Sequence, residues 1–237
     1  MKIALLGYGK MGKAIEELAI ERGHEIILRA TSTTPIDIDL LKQAQVSIEF
    51  SRPDTAVKNI NLCFDNRIPI VVGTTGWLED MTYIKNRCLD EGQSIFYASN
   101  FSIGVNIFNE VSKRLTHLIS KYPSYKSSIV ETHHEQKLDK PSGTAILLAK
   151  GIVENHDSLS EWKLDEEGDD ILSIQSIREG QVPGTHTIKH DSEIDCICMT
   201  HEAKSRKGFA LGAIMAAEFL PGKIGSYSMN DLINLNI

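Results

Sequence analysis

The chain has 237 residues, 41% of them hydrophobic, with a formal net charge of -7 and a pI near 5.6. That length and apolar content suffice for one generous core or two modest ones, and the negative balance removes the long-range pull toward phosphate backbones that a nucleic-acid binder has. No run approaches the roughly 20 apolar residues needed to cross a bilayer, so neither nucleic acid nor membrane is an expected partner and a cytoplasmic protein is expected.

The opening "MKIALLGYGK" runs directly into a glycine-rich turn and has neither a long apolar core nor a small-residue cleavage site, so it reads as a strand over 2–6 and not as a signal peptide. After the turn, "KAIEELAIERG" carries apolar residues at helical spacing and stops at Gly23. Gly7, Gly9 and Gly12 therefore lie between a strand and a helix. Gly7 permits the tight turn, Gly9 lets a pyrophosphate approach the backbone, and Gly12 lets the helix pack closely on the strand. With Tyr8, Lys10 and Met11 they form the candidate coenzyme loop, facing the free N–H groups of the helix start.

Strands follow at "EIILRA" (25–30), "VSIEF" (46–50), "IPIVVG" (68–73) and "SIFYAS" (94–99), with helical stretches near 53–65 and 77–91. This alternation predicts an α/β fold with a Rossmann-type doubly wound parallel sheet that takes a dinucleotide at the carboxyl ends of its strands. Two polar turns fall at such ends: "GTTG", with Gly73, Thr74 and Thr75, and "ASNF", with Ala98, Ser99, Asn100 and Phe101. An NAD-preferring site usually has Asp or Glu at the end of the second strand. Here "RATS" presents Arg29 and Thr31, which favours acceptance of NADPH without excluding NADH.

The second half departs from this pattern. A helix is expected over 103–120, with Ile103, Ile107, Val111, Leu115, Leu118 and Ile119 close to one stripe. "SSIVETHHEQ" reads as a strand in which His133 and Lys137 share parity while His134 points to the other face. The first two would also share a helix face, so they are expected to act together. In "PSGTAILLAKGIVEN", Ser142 and Thr144 are helix-capping residues, and a Ser-Gly-Thr turn at a helix start suits a carboxylate or phosphate; simple capping without a ligand is the alternative. An acidic tip over 165–170 precedes strands at 172–179, 184–190 and 192–203, which predict a smaller α+β domain with an open mixed sheet, one face of which a partner subunit would cover. A final apolar helix spans 208–220. The expected domains are 1–101, joined by 212–237, for the dinucleotide, and 102–211 for substrate and oligomerisation.

The remaining polar residues suggest no further site. Cys63, Cys88, Cys196 and Cys198 form no C-x-x-C pair and read as reduced structural thiols. His186 and His190 share strand parity, but no third ligand at a defined spacing accompanies them, so no metal is expected. His24, His117, His156 and His201 read as surface or packing residues.

Taken in order, "GYGKMG", "GTTG", "ASNF", "ETHHEQKLDKPSGTA", "GTHTI" and "THEAKSRKGFALGA" resemble the motifs of the 4-hydroxy-tetrahydrodipicolinate reductases, also called dihydrodipicolinate reductases, and span nearly the whole chain. The resemblance implies an NADPH- or NADH-dependent oxidoreductase that reduces a cyclic imine dicarboxylate, with loss of water, on the diaminopimelate route to lysine. It implies His133 as acid/base, Lys137 as proton donor, His134 as a substrate contact, and the Ser142–Gly143–Thr144 turn as the carboxylate anchor. The family is typically a homotetramer assembled through the substrate domain. This chain departs from the pattern at Glu135 and Lys140, where basic or small residues are common, and at Thr31, where an acid is expected. The competing readings are another two-domain NAD(P)-dependent dehydrogenase, which does not require this histidine-lysine motif, and a nucleotide-sensing module, which would need a binding element not evident here.

Overall fold

The structure is a computed structural model and describes residues 1–205 and 207–233. β1 (Lys2–Leu6) leads into α1 (Lys10–Glu21), β2 (Glu25–Ala30), the single turn α2 (Ile38–Leu41), β3 (Val46–Glu49), α3 (Pro53–Asp65) and β4 (Ile70–Val72). A 3-10 turn at Leu78–Asp80 runs into α4 (Met81–Glu91), followed by β5 (Ser94–Tyr97). Next come α5 (Ile103–Ile119), β6 (Lys126–His133), α6 (Gly143–Val153), β7 (Glu161–Leu164), β8 (Ile171–Arg178), β9 (Thr185–Asp191) and β10 (Cys196–Glu202), and then α7 (Lys207–Phe219), β11 (Gly225–Tyr227) and α8 (Met229–Ile233). The chain forms two compact units: one joins Met1–Ile103 to the chain from Lys207 onward, and the other is the segment between. Of the expected 212–237 segment, residues 234–237 lie outside the described residues, as does Arg206 in the "THEAKSRKGFALGA" motif.

The sheet of the first unit has six parallel strands in the order β11-β5-β4-β3-β1-β2. The inner strands β1 and β4 are apolar without alternation because both faces are covered, whereas the edge strand β2 alternates. Ile3 and Leu5 enter a core with Ile15 and Ala19 of α1 and Ala213, Ile214 and Ala217 of α7. Ala4 and Leu6 enter the opposite core, with Ile60 and Phe64 of α3 and Ile84 of α4. Burying a side chain such as Ile3 or Leu5 contributes roughly 1.5–3 kcal/mol. α3 starts with Pro53, whose missing N–H and fixed φ suit a first turn, and α4 stops at Gly92 in the left-handed region.

The second unit holds a mixed sheet, β10-β9-β6-β8-β7, in which β9 runs antiparallel to both β10 and β6 while β6, β8 and β7 are parallel. One face carries the core: Ile129, Leu172, Ile174 and Ile188 pack on Ala145, Leu148, Ala149 and Ile152 of α6 and on Phe108 of α5. On the other face Ser128 stands between Lys189 and Ser173, and Val130 between Thr187 and Gln175, half-buried to exposed.

Four expectations need correction. The strand expected to run through "ETHHEQ" ends at His133, and a turn closed by the Lys137 amide on the His134 carbonyl follows, so strand parity does not relate Lys137 or His134 to His133. The apolar stripe expected on α5 is not the buried one: Val105, Phe108, Asn109, Ser112, Thr116 and Ile119 are buried, while Ile107, Val111 and Leu118 are 43%, 51% and 48% exposed. At one close approach on the buried side, a Cβ on Gly151 of α6 would lie 3.0 Å from Asn109 Oδ1 and 3.1 Å from Lys113 Cε, so the missing side chain of Gly151 makes room for polar residues of α5. Finally, the sheets include β7 and β11, two short strands not expected from the sequence, and Thr144 lies within α6 rather than capping it.

Candidate active site

The first unit offers a place for a dinucleotide. Gly7 adopts φ +107°, and the amides of Gly7 and Tyr8 both donate to the Ala30 carbonyl at the end of β2, at 3.1 and 2.9 Å. A Cβ on Gly7 would lie 2.0 Å from the Phe50 carbonyl oxygen, and one on Gly12 would lie 2.5 Å from the Gly7 carbonyl oxygen. At Gly9, by contrast, a Cβ would meet nothing within 4 Å. Gly9 is also the N-cap of α1 and supplies no side-chain cap, so the first amides of that helix face open space, the arrangement that receives a phosphate. Two cavities of 570 and 530 Å³ share Gly9, Phe50 and Ser51 as walls; the first also includes Thr31 and Arg52, the second Lys10, Met11, Gly73, Thr74 and Thr75. These residues fit a nicotinamide dinucleotide.

Several expected coenzyme residues, the wall residues Thr74 and Thr31 among them, also make contacts that hold the fold. The buried Thr74 hydroxyl accepts from the Ser51 amide at 2.8 Å, and its carbonyl accepts from Trp77 Nε1 at 2.7 Å, leaving Thr75 exposed. Ala98, Asn100 and Phe101 are buried: Asn100 Oδ1 accepts from the Ser102 amide at 2.9 Å, and the Phe101 ring packs 5.6 Å from Phe50. Ser99 alone of the "ASNF" run is exposed. Arg29 is tied to Glu16 of α1 through Nε at 2.8 Å and through its terminal nitrogen, while the Tyr8 hydroxyl donates to the other Glu16 oxygen. Thr31 Oγ1 accepts from the amides of Thr33 and Thr34 and so shapes its own turn.

Sequence reasoning missed Glu16, Arg52 and Glu49. The fully buried Glu49 accepts from the Ser51 amide at 3.1 Å, from the Ser51 hydroxyl and from Asn59. Burial pushes its pKa up, with the hydrogen bonds of Ser51, Thr74 and Asn59 pulling partly back. It braces the loop that walls both cavities.

In the second unit a buried carboxylate gathers the catalytic candidates. β6 places Ile129, Glu131 and His133 on the helix-covered face, the ladder sets Glu131 opposite His186 of β9, and His133 lies opposite Arg178 of β8. Glu131 has no exposed surface. Both its oxygens accept from the Ser142 amide at 3.1 Å; Oε1 also accepts from the Ser176 hydroxyl at 2.6 Å and from Arg178 at 3.2 Å. Oε2 faces His133 Nδ1 at 3.4 Å and His186 Nε2 at 3.7 Å, and the two imidazoles stand edge to face with centroids 5.1 Å apart. Nε2 of His186 lies 3.2 Å from the Ser142 hydroxyl, which caps α6 by accepting from the Ala145 amide. A Cβ on Gly184 would lie 2.9 Å from His133 Nε2, which is why the residue before "THTI" is glycine.

Lys137 enters from the turn after β6. Its ammonium binds both oxygens of Asp139 at 2.7 and 2.8 Å, and the turn is held by Arg178, which donates to the Lys137 and Asp139 carbonyls at 3.2 and 2.6 Å. His134 is half-buried and its amide donates to the Val182 carbonyl. Gly143 is exposed, with open space where a Cβ would be. Glu135 and Lys140 are exposed.

The electrostatics of this cluster follow from burial and charge. Burial lowers the pKa of His133, Glu131 opposes that, and the cations Lys137 and Arg178 add to it. His186 is pushed down to about 4, by burial first and then by His133. For Glu131, burial works upward but is outweighed by the hydrogen bonds from Ser142 and Ser176 and by His133, so the carboxyl stays below its usual range. Glu131, His133 and His186 are spaced closely enough to hold a cation. The Arg178 guanidinium and Ser142 amide already satisfy that carboxylate, however, and a second cation beside Arg178 and Lys137 would be repelled. His190 lies outside the cluster, with Nδ1 on the Ser127 hydroxyl at 2.8 Å.

A parallel sheet with a glycine turn at β1–α1, and further along the chain a unit bearing this acid–imidazole cluster, define a two-unit nicotinamide-dependent oxidoreductase. The family models for the N-terminus and the C-terminus of dihydrodipicolinate reductase match residues 1–101 and 104–233. The chain belongs to the dihydrodipicolinate reductase family. It is 46% identical to the 4-hydroxy-tetrahydrodipicolinate reductase of Christiangramia forsetii over 99% of this chain and 98% of that protein. It is 31% identical to the enzyme of the same name from Neisseria gonorrhoeae, over 93% and 84%. In fold it matches a dipicolinate-bound dihydrodipicolinate reductase from Paenisporosarcina sp. TG-14, with a TM-score of 0.81 and 21% identity over 98% of this chain and 99% of that one.

Proposed function

We propose that the chain reduces 4-hydroxy-tetrahydrodipicolinate, with loss of water, to tetrahydrodipicolinate in the diaminopimelate route to lysine. The observation that carries this reading is that a single buried carboxylate, Glu131, binds the Ser142 amide and faces His133, so the acid/base candidate and the anion-binding turn form one site. The first unit binds the coenzyme through the amides of Gly9, Lys10 and Met11, with Thr75 and Ser99 toward the nicotinamide. When bound, the reduced nicotinamide supplies the hydride. β2 ends without a carboxylate to repel a 2′-phosphate, so NADPH is accepted; Arg29 and Arg52 are already paired with Glu16 and Asp54, so neither demands that phosphate and NADH is accepted too.

In the second unit, the amides of Gly143 and Thr144 and the Ser142 turn hold one substrate carboxylate at the start of α6. Lys137 draws the dianion and gives a proton to the reduced ring, His133 relays protons behind it, and His134 contacts the substrate. The half-exposed face of the second sheet forms the interface of a cytoplasmic homotetramer. A coupled assay tests the reaction: substrate is generated from pyruvate and aspartate semialdehyde, purified protein is added, and NADPH and NADH oxidation are followed separately. Oxidation of both, dependent on substrate, is expected; oxidation of neither overturns the reading. Sedimentation of the same preparation at four times the chain mass checks the assembly.

A further inference from the structure

We propose that Glu131 is the positioning residue of this site: its buried carboxylate holds the Ser142 amide at the anion-binding turn and, through Oε2, fixes the orientation and protonation of His133. The inference deepens the reading of His133 and the Ser142 turn as one site and rests on it. Geometry carries it. Glu131 has no exposed surface and stands two residues before His133 on the same strand face, and both its oxygens lie 3.1 Å from the Ser142 nitrogen. Nδ1 of His133 is buried without a hydrogen-bond partner, and Oε2 of Glu131 stands 3.4 Å from it. A small rotation of the ring brings that nitrogen into a charge-assisted hydrogen bond when it carries a proton, which selects Nδ1–H and leaves Nε2, beside Gly184, as the exchanging atom.

The same carboxylate thus couples the two halves of the site. Substrate charge at the Ser142 turn acts on Glu131, and Glu131 acts on His133. Every element packed around His133 contributes to the balance. Lys137 and Asp139 face it from the turn after β6, Arg178 from β8 and His186 from β9, with His201 of β10 acting on His186; from the start of α6 comes the uncharged Ser142. Among these, Glu131 and Asp139 favour the imidazolium and Lys137 and Arg178 oppose it.

Opposite-signed substitutions separate this role from a merely structural one. In the full chain, the His133 ring is titrated by NMR with selective histidine labelling, assigned with His133→Gln and His186→Gln. Glu131→Gln keeps the shape and an acceptor oxygen but removes the charge, and the His133 midpoint is expected to fall by about one pH unit or more. Arg178→Gln removes an opposing cation and is expected to raise it. Hydrogen exchange at the Ser142 amide is expected to speed up about tenfold in Glu131→Gln, as an uncharged acceptor replaces a charged one. An unmoved midpoint, unmoved Ser142 protection, or shifts of the same sign in both variants overturn the proposal. If Glu131→Gln does not fold, Glu131→Asp decides: it draws the carboxylate back from both partners, and an unmoved His133 midpoint with unmoved Ser142 protection overturns the proposal. These readouts need no turnover, so failure of the reductase reading would appear in the coupled assay and failure of this inference in the titration.

Discussion

Lys137 is held by an ion pair that adds little to the fold. Asp139 is 60% exposed in its side chain, and such pairs contribute no more than about 1 kcal/mol to stability. Burial works to raise the Asp139 pKa, but the Lys137 ammonium outweighs it and keeps the carboxylate charged. Lys137→Ala is therefore expected to lower kcat by about 10²–10⁴-fold, the usual worth of a positioned proton donor, with coenzyme affinity unchanged in a fluorescence titration. Asp139→Asn should change kcat or KM while the urea midpoint stays within about 1 kcal/mol of the parent. Turnover unaffected by Lys137→Ala would remove it as the donor. At this scale the sequence was legible where chemistry is dense: His133, Lys137 and Ser142 stand out in a run of fifteen residues, "ETHHEQKLDKPSGTA". Glu131 was open to the same reading, since an E-x-H pair on a strand otherwise alternating with Ile129 points two polar groups into a core. His186 and Arg178 were not, because only the strand ladder brings them opposite Glu131 and His133.

Elements with strong periodicity and sharp stops are the ones the sequence marks well. β1 and β2 begin and end where the apolar runs do, α3 spans 53–65 between Pro53 and the turn at Asn66, and the glycine turn falls between β1 and α1. β7 and β11 went unseen because three or four residues with one apolar face carry no period; each exists by pairing with a longer neighbour, β8 or β5. The α5 stripe misled for a related reason: its buried side includes Asn109, Ser112 and Thr116, and Asn109 fits where Gly151 of α6 has no side chain, a match invisible in hydrophobicity alone. The glycine turn supports a contrast within one motif. A methyl on Gly12 has no room, 2.5 Å from a carbonyl oxygen, whereas one on Gly9 meets nothing and strains no dihedral. Gly12→Ala should destabilise the first unit by about 1–3 kcal/mol, the range for overpacking, or prevent folding. Gly9→Ala should keep the thermal midpoint while weakening NADPH binding about tenfold or more, because the added methyl stands where the pyrophosphate must approach. NADPH affinity unchanged in Gly9→Ala would mean that Gly9 is no part of the phosphate cradle.

For the molecule as a whole, the buried imidazoles link stability to pH. His186 and His190 both lie in the second unit with almost no exposed surface, and burial, aided by neighbouring histidines, pushes each down to about 4. The unfolded chain binds protons at these side chains near the ordinary 6.5, so between pH 6.5 and 4 the unfolded state holds more protons than the folded one. Their contribution is complete above pH 6.5 and is lost as pH falls through that window, at about 1.4 kcal/mol per pH unit for each proton difference. His190 isolates the effect, because it lies outside the Glu131 cluster and contacts Ser127 only through Nδ1. His190→Gln can keep an acceptor for Ser127 but does not titrate. In urea unfolding between pH 6 and 4.5, the variant is expected to lose stability less steeply than the parent by about 1.4 kcal/mol per pH unit, with reductase activity at pH 7.5 preserved. A parallel pair of stability–pH curves would show that His190 is protonated as readily in the folded chain as in the unfolded one, and that the acid sensitivity of the second unit lies in the His133–His186 pair.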